Sequence, residues 1–102
     1  MGVPVEIKPT SNYSVSSLKA FITNQLCRKY MKEPDVKFGV FLLIRNRRKT
    51  WTINGKPGRS FPELVQVLKA HAKVIGNRFD RMIRVVPIDL IDVGGIERRP
   101  TG

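Results

Sequence analysis

The 102-residue chain carries one cysteine and one histidine. A lone Cys27 cannot close an intrachain disulfide, and Cys27 with His71 falls short of a zinc cluster. No apolar run approaches the ~20 residues that a membrane-spanning helix needs. The longest, Val40 to Ile44, is strand-sized, so no membrane partner is expected. The opening MGVPVEIKP does not have the pattern of a secretory signal, because an acidic residue and two prolines interrupt it. There is no internal repeat, no low-complexity tract and no glycine-rich phosphate loop. Acidic residues are scarce: 8 Asp plus Glu face 19 Lys plus Arg, for a net charge of +11 and a pI near 10.6. What is present is enough to fold, since 41% of the residues are hydrophobic, and the length suits one core. These features point to a cytoplasmic protein with an anionic partner, most commonly nucleic acid.

The apolar spacing gives the order of elements. Val3, Val5 and Ile7 alternate with Pro4, Glu6 and Lys8, as in a strand, and Pro9 ends it. Thr10 to Tyr13 reads as a polar link, and a helix is expected over about 15–32, N-capped by Ser14. Val15, Leu18, Ile22, Leu26 and Tyr30 form its stripe, widened by Phe21 and Cys27. Lys37 to Arg45 reads as a second strand, apolar on both faces and therefore central and expected to be covered on two sides. A basic excursion follows, containing Trp51-Thr52-Ile53 and an Asn54-Gly55 turn signal. Ser60, Pro62 and Glu63 mark a strong helix start with a capping box. Leu64, Val65, Leu68, Ala72 and Ile75 supply its buried stripe, and Gly76-Asn77 is the expected stop. Met82 to Ile91 reads as a third strand in which Pro87 indicates an edge or a bulge. The expected architecture is α/β, in the order β-α-β-α-β, a small mixed or parallel sheet with packed helices. One domain is expected over 1–93, with a flexible tail over 94–102.

Glu6 and Lys8 are the first candidates for chemistry. Residues two apart on a strand project from one face, so a carboxylate and an ammonium can share one reaction centre. The carboxylate and the Ile7 carbonyl are hard donors suited to Mg²⁺, and the ammonium can orient water or offset charge on a phosphate. A bare E-x-K triplet is common, but here it ends the strand V-P-V-E-I-K. After it come a helix bearing Gln25-Leu26-Cys27-Arg28-Lys29-Tyr30 and then an apolar strand entered through Gly39. This succession, with Met82 to Leu90 as a closing strand, resembles the PD-(D/E)XK nuclease superfamily, the restriction-endonuclease-like fold. The resemblance implies Glu6 as a metal-binding carboxylate, Lys8 as the catalytic lysine, and Gln25 and Tyr30 as helix residues reaching toward metal or DNA. It implies Mg²⁺ as cofactor and phosphodiester hydrolysis as the reaction. The superfamily's metal-binding Asp precedes the E-x-K strand, and no Asp here stands in for it by position. The chain therefore resembles the C-terminal half of such a domain, expected to be inactive alone.

The second candidate is the basic excursion. Arg45, Arg47, Arg48, Lys49, Lys56 and Arg59 bracket Trp51, with no acidic residue between them. Cations of this kind grip phosphates, and an aromatic among them can stack on a base; the alternative is a solvated charged loop with Trp51 folded onto the core. Nucleic acid, DNA before RNA, is the expected partner. Self-association through the open edge of the first strand is expected as well. Two other classes compete: a non-catalytic basic DNA- or RNA-binding module, and a structural fragment whose charge only keeps it dissolved. His71 and Cys27 read as structural. Arg78, Arg81 and Arg84 add to the positive field, with Asp80 as a local partner.

Overall fold

The structure, a computed structural model, describes residues 3–91, without the side chains of Cys27 and Tyr30. The tail expected over 94–102 and the roles given to those two side chains lie outside the described residues. The elements are β1 (Val5–Pro9), a 3₁₀ turn (Thr10–Asn12), α1 (Val15–Ala20), a π-helix (Phe21–Tyr30), β2 (Phe38–Arg45), β3 (Trp51–Ile53), β4 (Lys56–Arg59), α2 (Phe61–Phe79) and β5 (Met82–Asp89). The chain is a small α/β domain. Three parallel strands in the order β1-β2-β5 form the sheet, and β2 is central as its two-faced apolarity requires. β5 is an edge strand, which is where Pro87 can sit without a missing ladder bond.

The long first helix is not α-helical throughout. Ser14 caps it, its hydroxyl accepting from the Ser17 N–H at 3.2 Å. From Phe21 the winding widens, and the Met31 N–H reaches back five residues to the Leu26 carbonyl at 3.0 Å. The wider turn makes Leu18, Ile22, Leu26 and Met31 the buried row. A steady α-helical period had put Tyr30 where Met31 falls. Such windings are rare and usually short. Gly39 shows what this one accommodates: a Cβ there would lie 2.5 Å from the Met31 sulfur and 3.3 Å from Leu26.

α2 begins as expected, with both halves of the Ser60–Glu63 capping box formed. It runs past Gly76-Asn77 to Phe79. Asp80, at φ 54°, turns left-handed and ends it, while the Arg81 N–H closes onto the Gly76 carbonyl at 2.7 Å. Gly76 serves close approach instead, because a Cβ there would meet the Arg81 carbonyl at 2.5 Å. The basic excursion is an antiparallel hairpin, β3–β4, in a separate two-stranded sheet. Asn54 and Gly55 both have positive φ, as a tight primed turn demands. Weak strand signals in Lys56-Pro57-Gly58-Arg59 hid β4 from sequence reading.

All helices and the hairpin pack on one side of the sheet. There Phe41, Leu43 and Val85 meet Leu18, Leu64, Leu68, Trp51 and Phe61 in a single core. The alternate residues of the strands face the other way, and nothing among the described residues covers them.

Candidate functional site

β1 is turned opposite to its hydrophobicity. Val5 and Ile7 lie on the open face and are about half exposed, whereas Glu6 and Lys8 point to the covered face. Their side chains keep only 11% and 17% exposure, with Lys8 Nζ 3.3 Å from Glu6 Oε1. Lys8 Nζ also lies 4.0 Å from the Phe21 ring centroid and 5.7 Å from that of Tyr13. Tyr13 and Phe21 meet edge to face at 5.0 Å, so a small aromatic corner holds the ammonium by its ring quadrupoles. Thr10, fully buried, continues the polar row Glu6, Lys8, Thr10. Its hydroxyl has no hydrogen-bond partner among the described residues. Gln25 is half-buried on the π-helix, an element that packs against both β1 and β2.

Tyr13, expected in a polar link, joins this corner to the basic excursion. Its carbonyl accepts from Lys49 Nζ at 3.1 Å and from the Trp51 indole N–H at 3.2 Å, while Lys49 also donates to the Ser11 carbonyl at 3.0 Å. The excursion is thereby moored beside the carboxyl end of β1. In open α/β sheets the carboxyl ends of the strands are the usual place for ligands.

The mooring redistributes the expected contacts. Trp51 is 3% exposed and packs on Phe61 at 6.2 Å between ring centroids. Its faces belong to the core, which corrects the expectation of an indole stacked on a base. Lys49 spends its ammonium on two carbonyls. Arg45 pairs with Asp89 at 2.9 Å, tying the ends of β2 and β5, and Arg59 pairs with Glu63 at 3.4 Å. Arg47, Arg48 and Lys56 are exposed and have no ion-pair partner among the described residues. Of the seven expected contacts, these three stand most open to phosphate. Arg81 is not a surface cation either. Its guanidinium donates to the carbonyls of Met31, Phe79, Asp80 and Glu33 at 3.0 to 3.4 Å, lashing the ends of the two long helices together. Asp80 instead bridges to Lys37 at 3.4 Å.

His71 lies in the seam between α2 and the π-helix. The Thr23 hydroxyl donates to the Lys19 carbonyl at 3.2 Å and lies 2.9 Å from His71 Nε2. Which of the two donates is set by the imidazole tautomer. Burial, helped by the charges of Lys19 and Arg78, holds the imidazole pKa below its ordinary value.

Mg²⁺ in phosphoryl sites is held by one or two carboxylates together with substrate phosphates and water. Glu6 offers one such carboxylate, and no group of three or more His, Cys, Asp or Glu gathers among the described residues. The residues present thus fit one corner of a Mg²⁺ site, with the remaining oxygens left to phosphate and water. No helix among the described residues is long and apolar enough to cross a membrane. No protein-family model, curated protein or solved structure matches the chain.

Proposed function

We propose that this is a nuclease-like, nucleic-acid-binding domain of the PD-(D/E)XK type, in which Glu6 and Lys8 are the reactive pair. One observation carries the reading. A carboxylate and an ammonium are held on the covered face of β1, at the end of the sheet where the basic excursion is moored through Tyr13. Burying two charges costs several kcal/mol per ion, and a strand with Val5 and Ile7 on its other face could have been turned round to avoid it.

In this reading Arg47, Arg48 and Lys56 hold the phosphate backbone, DNA before RNA, without reading bases. The strand fixes Glu6 and Lys8 at 3.3 Å, and the Tyr13–Phe21 corner limits where the ammonium can move. Lys8 can hold an attacking water or offset charge on the departing oxygen. A bound Mg²⁺ would polarise the phosphate and acidify water, with Glu6 as its protein ligand. With one carboxylate the isolated chain is expected to cut slowly or not at all, and further acidic ligands would have to come from another polypeptide.

The test is a Mn²⁺ titration followed by NMR. Paramagnetic broadening should centre on the Glu6, Ile7 and Lys8 amides, tighten when duplex DNA is added, and vanish in Glu6→Gln. Broadening spread over other carboxylates, or unaltered by Glu6→Gln, would leave the second reading: a basic DNA- or RNA-binding module without catalysis.

A further inference from the structure

We propose that the open face of the β1-β2-β5 sheet is the interface of a homodimer, in which a second copy packs its own open face against it. Parallel sheets occur almost only with both faces covered. Here β1 contributes Val5 and Ile7 to the bare face, β2 contributes Val40, Leu42 and Ile44, and β5 contributes Met82, Val86 and Ile88. Among the described residues seven large hydrophobics are exposed. Four of them, Val5, Ile7, Met82 and Ile88, are on this face, while Val3 precedes β1 and Leu90 follows β5. Val74 alone lies elsewhere, on α2.

The chemistry of the face selects the occupant. Its charged residue is Arg84, on the edge strand β5 beside Val40, so a polyanion would find no central cation to pair with. A second copy of the same face is apolar wherever this one is, and two-fold packing is self-complementary by construction. Arg84 falls at the lateral rim, where its stem can lie along apolar surface while its head stays in water.

The size suits a weak dimer. The strands lie about 4.8 Å apart and rise about 3.3 Å per residue; β2 and β5 are eight residues long and β1 five, so the face is roughly 14 Å wide and about 26 Å long on its longer strands. Two such faces give roughly 700 Å² in plan, short of the ~1,200 Å² at the low end of standard specific interfaces. The dimer should therefore be reversible at micromolar concentration. The β1 edge offers a different contact. The Pro4 carbonyl faces β2, accepting from the Val40 N–H at 3.0 Å. Backbone groups alternate sides along a strand, so those of Val5 and Ile7 point outward. Pairing there would leave the apolar face in water.

Sedimentation velocity of the full chain over a micromolar to sub-millimolar series decides the matter. The variants are Ile7→Lys and Ile88→Lys on the two outer strands of the face, with Val74→Lys as the control for general stickiness. All three sites are solvent-exposed, and superimposable circular dichroism melts verify folding. The expected result is a monomer–dimer equilibrium weakened at least ~tenfold by Ile7→Lys and by Ile88→Lys, and unchanged by Val74→Lys. A monomer throughout would overturn the proposal. So would a dimer indifferent to Ile88→Lys, which lies on the strand far from the β1 edge. Binding of the wild-type monomer to phosphatidylglycerol vesicles, lost in both face variants, would assign the face to lipid and overturn it too. None of these outcomes bears on Mn²⁺ at Glu6.

Discussion

Replacing the Glu6–Lys8 pair with apolar side chains separates function from stability. The charges lie 3.3 Å apart, so their gross attraction is about 5 kcal/mol at an effective dielectric of about 20. Desolvation costs several kcal/mol for each ion, and the side chains retain little exposure to offset it. The two terms nearly cancel. Leucine at 6 and methionine at 8 would fill the same space beside Phe21 and Tyr13 without that penalty. The double variant Glu6→Leu/Lys8→Met should therefore be between neutral and about 2 kcal/mol more stable than wild type. Each single variant should lose about 3 kcal/mol, because one charge is left buried without its partner. That value is the low end of the usual range, since water still reaches both groups. Urea unfolding of the four chains at neutral pH measures the cycle. A double variant destabilised by more than about 2 kcal/mol would show that the pair is a structural staple. The fold would then not be tolerating a cost for the sake of chemistry.

Other outcomes follow from the same geometry. Trp51→Phe loses the indole bond to the Tyr13 carbonyl and leaves a void in the core. It should cost about 1 to 3 kcal/mol in a melt without selectively weakening single-stranded DNA in an anisotropy titration. Thr10→Val removes a buried hydroxyl that has no partner and keeps the shape. It should raise stability by about 1 kcal/mol in urea unfolding. The lowered His71 pKa means that the unfolded chain binds more protons than the folded one below the ordinary value of about 6.5. Stability should fall as pH drops from there through the folded value. Denaturation midpoints against pH should lose that step in His71→Gln. Glu63, its carboxyl held low first by the Ser60 backbone N–H, adds a contribution that is present above its ordinary pKa and lost as pH falls through the folded value.

The sheet was legible because its signals are local. Alternation marked β1, two-sided apolarity marked β2 as central, Pro87 placed β5 at an edge, and the Ser60–Glu63 box started α2. Long-range competition hid the remainder. Nothing in Phe21 to Tyr30 announces a π-helix, because the widening is imposed by packing of Met31 and Leu26 against Gly39. Tyr13 looked like linker because its part in the site is played by a ring corner and a backbone carbonyl, groups that leave no motif. The basic excursion read as seven equivalent contacts, yet ion pairs to Asp89 and Glu63, at opposite ends of the fold's second half, occupy two of its arginines. The E-x-K spacing singles out Glu6 and Lys8 as candidates. That they face the covered side while Val5 and Ile7 face water could come only from the register with β2.

The salt dependence of duplex DNA binding tests the central claim most directly. Fluorescence anisotropy of a labelled duplex should show log K falling with log salt at a slope of about −3 to −5, the signature of roughly three to five neutralised phosphates. Arg47→Glu/Arg48→Glu should flatten that slope by about two and weaken all sequences alike. The same binding at every salt concentration, none at low salt, or an affinity untouched by the double reversal would contradict the account.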